Sequence, residues 1–518
     1  MFLVDAVAGY VENLTEREFD APFIALLYRL GYTRVHLVHG PYEFGKDFIA
    51  QREENGTLHQ YCFQSKAGDL GTSGWRDVSQ QVEAMRTGSV VHPDFDPALH
   101  RRLVVVTNGR LKGGAGTEFQ NYNEYHSGRG ESPAELWDID HLVPQFEAIF
   151  IEGVPVRARA RTLEMLGRLG QGTGDRRALR EFSREWFAPA LGPKERWGHV
   201  LTGALLAKEA FDHGREDLAS QVAFLLIRAA WENPSSAQPN PAELDVARRL
   251  FSTHAQQFWE EVQVLDVLEV TTRSQSGLDA FVTHPVKAAR LSECLSLLGI
   301  LSCLDGDANT AESIADYLAA FTDVSPGGAH MISDEWAFSL LVTTLLFVIT
   351  NQIDLAAKVL RTAAVWLLDK IEFGKGIAGV GEPAEAAVKQ LMGPVYSHVR
   401  LAHQASSYGF TVILDLAHIC GLRDLYEDLL NDLHALSAMA TVVIQRSVGE
   451  AELAVRLSYS LTDPTPAVHH DVPIDSMPAA RDGKYFDCLA SWATMRDRHV
   501  PALLRRLASL GCAPPTSH

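Results

Sequence analysis

Hydrophobic positions near the start of the chain recur on a helical period. Phe19, Phe23, Ile24, Leu26, Leu27 and Leu30 predict an amphipathic helix over 15–30, and Gly31 stands where such a helix stops. The pattern then turns to strands: VHLVH (35–39) is strand-like, GPYEFG (40–45) breaks the chain, and KDFIAQR (46–52) opens a second strand. Asn55-Gly56 is the strongest short hairpin signal in the sequence, so 46–52 and 57–66 are predicted to pair antiparallel. A helix over 77–86 and a buried strand over 102–107, ended by Asn108-Gly109, come next. The Gly-, Asn- and Tyr-rich stretch 112–132 reads as a mobile loop or short helix, and 134–150 as a last strand and helix.

Beyond about Val156 the alternating pattern is almost gone. Helical segments are predicted at 195–213, 216–233, 242–270, 285–304, 310–322, 335–350 and 353–373, able to stack as helical hairpins but without a fixed-period repeat. Two Pro-rich stretches, 233–241 and 462–483, read as exposed linkers. The expected organisation is an α/β domain with a mixed sheet flanked by helices over 1–152 and an all-helical region over 153–462. A linker over 463–483 and a C-terminal helical pair over 484–518 complete it.

At 518 residues the chain is too long for one ordinary core, which agrees with several domains. A hydrophobic share of 46% against 21% charged residues is the balance of a globular protein, not a disordered one. The net charge of −19 argues against non-specific coating of nucleic acid, so any such contact must be local. Six scattered cysteines without a CxxC pair fit neither a disulfide framework nor a zinc ribbon, and point to a reducing cytoplasm. The N-terminus shows no basic leader, and the longest apolar run, 337–350, is too short to span a bilayer. A cytoplasmic protein without a membrane span is therefore expected.

The candidate chemistry lies in the hairpin. Period-two geometry puts Gln64 and Lys66 on one face of the second strand, with Tyr61, Phe63 and Ser65 on the other. Pairing through Asn55-Gly56 brings Asp47 to the same end of the hairpin, because the two sites lie nearly equidistant from the turn. A carboxylate, an amide and a cation so grouped suit phosphodiester hydrolysis, which needs oxygen ligands for Mg²⁺ and a cation near the phosphorane.

Asp47 with Gln64-Ser65-Lys66 resembles the PD-(D/E)XK nuclease signature, in the D…QxK variant of Mrr-like restriction endonucleases. The helix with Glu18-Phe19 that ends in LGY (30–32), the strand VVVTNG (104–109) and WDIDHL (137–142) all fall where that family has similar elements. The resemblance implies a restriction-endonuclease-like domain over most of 10–152, acting as a metal-dependent endonuclease with DNA as its foremost substrate. Under it, Asp47 is the principal ligand of Mg²⁺ (or Mn²⁺), the Gln64 carbonyl a neutral ligand, and Lys66 the cation at the attacked phosphate. Glu18 and Glu43 are candidate further metal ligands, and Arg76 and Gln80, the latter beside Gln81, candidate nucleic-acid contacts.

Each residue has a plainer reading. Asp47 and Lys66 could form a cross-strand ion pair; Glu18 could stabilise a helix N-terminus, and Glu43 could be a solvent-facing loop carboxylate. Cys62 reads as a small buried thiol, the later tryptophans as packing residues, and His469-His470-Asp471 as surface linker. The leading expectation is a restriction or anti-phage nuclease regulated by its helical region through a partner or homo-oligomerisation. Its rivals are a non-catalytic nucleic-acid-binding scaffold with a degenerate nuclease fold, and a helical array that itself binds peptides or proteins.

Overall fold

A computed structural model describes residues 2–38, 45–152, 159–172, 174–188, 191–232, 240–265, 269, 278–324, 328–380, 387, 406–440, 483–496, 499 and 501–509. Two compact units emerge: Met1–Gly167 with Leu191–Leu205, and Arg168–Ala190 with Leu206–His518.

The first unit opens with helices α1 (Phe2–Glu12) and α2 (Glu16–Arg29), then a five-stranded sheet of β1 (Thr33–Leu37), β2 (Phe48–Glu54), β3 (Thr57–Lys66), β4 (His100–Thr107) and β5 (Ala134–Trp137). The strand order is β1-β2-β3-β4-β5; the first three are antiparallel neighbours, and β3, β4 and β5 run parallel. Helix α3 (Thr72–Thr87) makes the crossover from β3 to β4, and α4 (Ala115–Ser127) that from β4 to β5. Helix α5 (Ile139–Glu152) closes the order. This is a mixed sheet with flanking helices, of the restriction-endonuclease-like kind.

The hairpin forms as Asn55-Gly56 predicts. Both residues have positive φ, 51° and 78°, the backbone a two-residue turn with matching twist requires, and Glu54 pairs with Thr57 across it. The sheet is covered on both faces, which accounts for the nearly unbroken burial of β3 and of the second half of β4. One face is aromatic: Phe23 of α2 makes edge contacts with Phe48, Phe63 and Trp137 at centroid distances of 5.2, 5.4 and 6.3 Å. On the other, Ile49, Cys62, Leu103 and Val105 pack against Trp75, Val78, Val82 and Met85 of α3. Cys62 is the buried thiol expected, and burial pushes its thiol up to about 11.

The stretch 112–132, read as loop or short helix, holds the thirteen-residue α4. Its Glu118 ties it to α3, where Arg76 forks onto that carboxylate at 2.6 and 3.3 Å. The first eleven-residue helix, α1, has no counterpart in the sequence expectations.

The second unit is predominantly helical, as expected. Helices Glu216–Glu232 and Pro241–Val262 pack together, as do Leu278–Asp305, Ala308–Val324 and Ala337–Ile349, and Lys484–Met495 packs on Glu216–Glu232. Among the described residues, strand pairing there is limited to a two-residue ladder between Ser406–Ser407 and Met439–Ala440 and an isolated bridge between Ser333 and Ala378. Its interior holds charge. Glu293 accepts a bidentate pair from Arg496 at 2.6 and 2.8 Å and lies 3.4 Å from Arg176. Arg496, 1% exposed and with φ of 72°, also donates to the Glu335 carbonyl at 2.8 Å. Nearby, burial would push the Asp217 carboxyl up, but Arg290, Arg215 and Arg176 hold it well below the usual carboxylate range.

No helix among the described residues is long and apolar enough to cross a membrane. The expected linker 462–483 lies outside the described residues except for Gly483, and His469-His470-Asp471 lies wholly outside them.

Candidate active site

Where β2 begins and β3 ends, the sheet opens onto a cleft of about 750 Å³. Its walls come from both flanking layers: Glu16, Arg17 and Asp20 of α2, and Asp77, Gln80, Gln81 and Ala84 of α3. Its floor is Gly45, Asp47, Gln64, Ser65 and Lys66. The hairpin register does the gathering. Phe48 pairs with Phe63, and the Asp47 amide donates to the Phe63 carbonyl at 2.9 Å, so Asp47 comes to lie beside Gln64.

Asp47 is held firmly. Its Oδ2 accepts the Ser65 backbone N–H at 2.7 Å and the Gln64 Nε2 at 2.5 Å. Two residues earlier, Gly45 has φ of 72°, and a Cβ there would stand 2.3 Å from the Gln81 carbonyl oxygen. Only glycine lets the chain enter β2 this close to α3, which places Asp47 and Gln81 around one space.

The Gln64 carbonyl side is unlike the amide side. Gln64 Oε1 is buried and finds no hydrogen-bond partner among the described residues, and the same holds for Gln81 Oε1 and Ser65 Oγ. Buried acceptors left without a donor cost about 1–3 kcal/mol each, so they mark a place where a cation or water belongs. Four carboxylates, Glu16, Asp20, Asp47 and Asp77, line the cleft against the two cations Arg17 and Lys66. An excess of hard oxygen donors around bare amide oxygens fits a divalent cation such as Mg²⁺.

Lys66 projects into the same space, its Nζ 3.4 Å from Glu16 Oε1. The loop after it is anchored by Asn108, whose Oδ1 accepts the Gly68 N–H at 2.6 Å while its Nδ2 donates to the carbonyls of Val11 and Leu14 at 2.9 and 2.8 Å. One buried amide thus fixes the end of β3 relative to the start of α2.

Of the residues named from sequence, Asp47, Gln64, Lys66 and Gln80 meet in the cleft. Glu18 does not line it. Its Oε2 accepts the Thr15 N–H at 3.2 Å in a capping box, and its Oε1 pairs with Lys194. Arg76 is turned to Glu118 and does not line the cleft either. Glu43 lies outside the described residues. Sequence reasoning missed Glu16, Asp20 and Asp77; the usable signal was the i, i+4 spacing of the first two, which puts them on one helix face.

The Lys194 hydrogen bond, then the Thr15 amide, hold the Glu18 carboxyl down at about 2, against its ordinary 4.5. A value depressed on folding means stability that is present at neutral pH and lost as pH falls from 4.5 towards 2. Glu18→Gln should therefore lower the unfolding free energy at pH 7 by roughly 1 kcal/mol, a modest figure because the side chain is partly solvated. Denaturant titrations at pH 7 and pH 2.5 check this: the difference between variant and wild type should shrink at the lower pH, and a loss equal at both would refute the assignment.

Residues 11–144 match the family model Mrr_cat, described as restriction endonuclease. No curated protein and no solved structure matches the chain. The N-terminal domain is accordingly an Mrr-like domain of the PD-(D/E)XK nuclease kind, as the D…QxK resemblance implied, and the family that it matches is one of nucleases.

Proposed function

We propose that the chain is a metal-dependent endonuclease that hydrolyses phosphodiester bonds in nucleic acid, DNA foremost, with the cleft at Asp47, Gln64 and Lys66 as its active site. The observation that carries this reading is the buried Gln64 Oε1, without a partner among the described residues, beside the fixed carboxylate of Asp47. Asp47 and Gln64 Oε1 would hold Mg²⁺ or Mn²⁺, with Asp20 and Glu16 as the nearest further carboxylates on the cleft wall. Such an ion, when bound, supplies a more acidic water and offsets charge on the phosphoryl oxygens. Lys66 leaves its long contact with Glu16 for the entering phosphate, and there stabilises the negative charge that develops as the bond is attacked. Gln80 and Arg17 stand on the cleft wall where they can position the backbone of the strand.

The test is cleavage of plasmid DNA, single-stranded DNA and RNA by the full chain with Mg²⁺, Mn²⁺ or EDTA, compared with Asp47→Asn. Cleavage that needs metal and is lost in the variant supports the reading. Inert protein that also binds no Mg²⁺ by calorimetry favours the rival, a nucleic-acid-binding scaffold. The contact on its side is Gln64 Nε2 to Asp47, which satisfies part of the carboxylate without any ion.

Gln64→Glu is a second check. It removes the amide donor and sets two carboxylates side by side, so the metal-free protein should lose stability while Mg²⁺ binds about tenfold more tightly. Thermal melts with EDTA and with Mg²⁺ read both effects, and an unchanged Mg²⁺ response would remove Gln64 from the ligand set.

A domain that cuts DNA needs restraint in its own cell, which is the argument for assigning the helical region the role of sensor, partner surface or oligomerisation unit in restriction or anti-phage defence. Phage plating on a host that expresses the wild type should fall relative to Asp47→Asn. Equal plating would count against the defence role.

A further inference from the structure

Three side chains with metal-ligating atoms converge away from the cleft, where the edge strand β1 faces the segment between α3 and β4. His36 belongs to β1, and His92 and Asp94 to that segment. Their ligand atoms all lie within 4.8 Å of one another, and all three residues are half-buried. His36 Nε2 stands 2.7 Å from Asp94 Oδ2, and the two imidazole centroids are 4.3 Å apart.

We propose that His36, His92 and Asp94 form a second metal site, for a Zn²⁺-class transition metal, that clasps the segment 88–99 to the edge strand. Two imidazoles and one carboxylate are a borderline donor set that suits zinc and its neighbours, whereas Mg²⁺ prefers oxygen alone. Ligand atoms around a tetrahedral zinc sit roughly 3.4 Å apart, so the present cluster needs only small side-chain movements to close. The contact between His36 Nε2 and Asp94 Oδ2 lies where a metal ion would sit, and an ion held by both atoms would replace it.

The surroundings fix the donors in advance. Buried Gln51 donates its Nε2 to the Asp94 carbonyl at 3.1 Å, and Gln60 Oε1 accepts the Asp96 N–H at 3.0 Å, so the segment is anchored from inside the sheet. His92 Nδ1 accepts the Asp94 N–H at 3.1 Å, which holds the ring beside Asp94; this bond opens if Nδ1 turns to the ion. On β1, the register slips by one residue between Thr33 and His36, with Arg34 at φ of 51°. That bulge keeps His36 paired with Ile49 and on the α3 side of the sheet. Arg34 Nε, 3.6 Å from Asp94 Oδ1, is the competing cation, and it leaves Oδ2 to the site.

The test uses the full chain carrying Asp47→Ala, so that the cleft does not contribute, after dialysis against EDTA. It is titrated with Zn²⁺ by calorimetry and with Co²⁺ by visible absorption. The expected result is a site that His92→Ala weakens at least tenfold and that gives tetrahedral Co²⁺ bands, with the same loss in His36→Gln as a check against misfolding of either variant. Zinc binding that is equal with and without His92, or that disappears with Asp47→Ala alone, overturns the proposal; the latter outcome leaves the nuclease reading of the cleft untouched.

Discussion

Lys66→Ala should slow phosphodiester cleavage by roughly a thousandfold while Mg²⁺ binding stays nearly unchanged, and Asp47→Ala should remove both. The split follows from where the two side chains stand. Asp47 is fastened by the Ser65 amide and Gln64 Nε2 beside a Gln64 Oε1 that finds no partner among the described residues, which is why the proposed role for it is metal ligand. Lys66 is one alternate residue further along β3 and stands 3.4 Å from Glu16 in the cleft. In the proposed role its charge would act on the phosphate as negative charge grows there, which is an effect on the transition state more than on binding. Single-turnover cleavage rates with calorimetric Mg²⁺ titration separate the two. If Lys66→Ala lost metal binding as fully as Asp47→Ala, the lysine would be part of the ion's cradle and the assignment of roles would fall.

Glu293→Ala or Arg496→Ala should each destabilise the helical unit by about 3–5 kcal/mol, among the largest effects of any single change in the chain. The pair is wholly internal, with a bidentate contact at 2.6 and 2.8 Å and side chains 7% and 1% exposed. Removal of either partner leaves a charge in a medium where it has little solvation. Burial would push the Glu293 carboxyl up, yet Arg496 and Arg176 hold it below its ordinary value, so the acid stays ionised at neutral pH. Denaturant unfolding of both variants and the double variant checks this. The double change removes both members of the pair, so neither is left as the other's unpaired charge, and it should cost less than the sum of the singles. Additive losses would show that the pair is not coupled.

The candidate site was legible to the extent that it depends on strands. Asn55-Gly56 sets the register, and register with period two puts Asp47 beside Gln64, without reference to anything distant. The helical walls were harder. At about 100° per residue, Asp20 flanks one side of the stripe formed by Phe19, Phe23, Leu26 and Leu27, Glu16 falls towards that same side one turn before it, and Glu18 flanks the other. The pattern says which side of α2 is buried, but which flank meets the sheet's open end is decided by tertiary packing. The position of Arg76 was hidden for a similar reason: it lies at the margin of the α3 face that holds Gln80, and its pairing with Glu118 on α4 is a tertiary contact. Helix α4 itself was obscured by its Gly, Asn and Tyr content, since its stability comes from packing of Ala115, Phe119 and Tyr122 rather than from propensity.

The two margins of the sheet carry a further consequence. A strand at a margin offers unpaired backbone groups to any other chain, and long flat margins invite chains to add on as extra strands. Here β5 is only four residues long, and β1, five residues long, is broken by the Arg34 bulge. Both ends of the sheet are thereby poor templates for strand addition, which protects the nuclease domain from runaway self-association. Two copies of this domain would then have to meet through helical faces or loops, not through a continuous shared sheet.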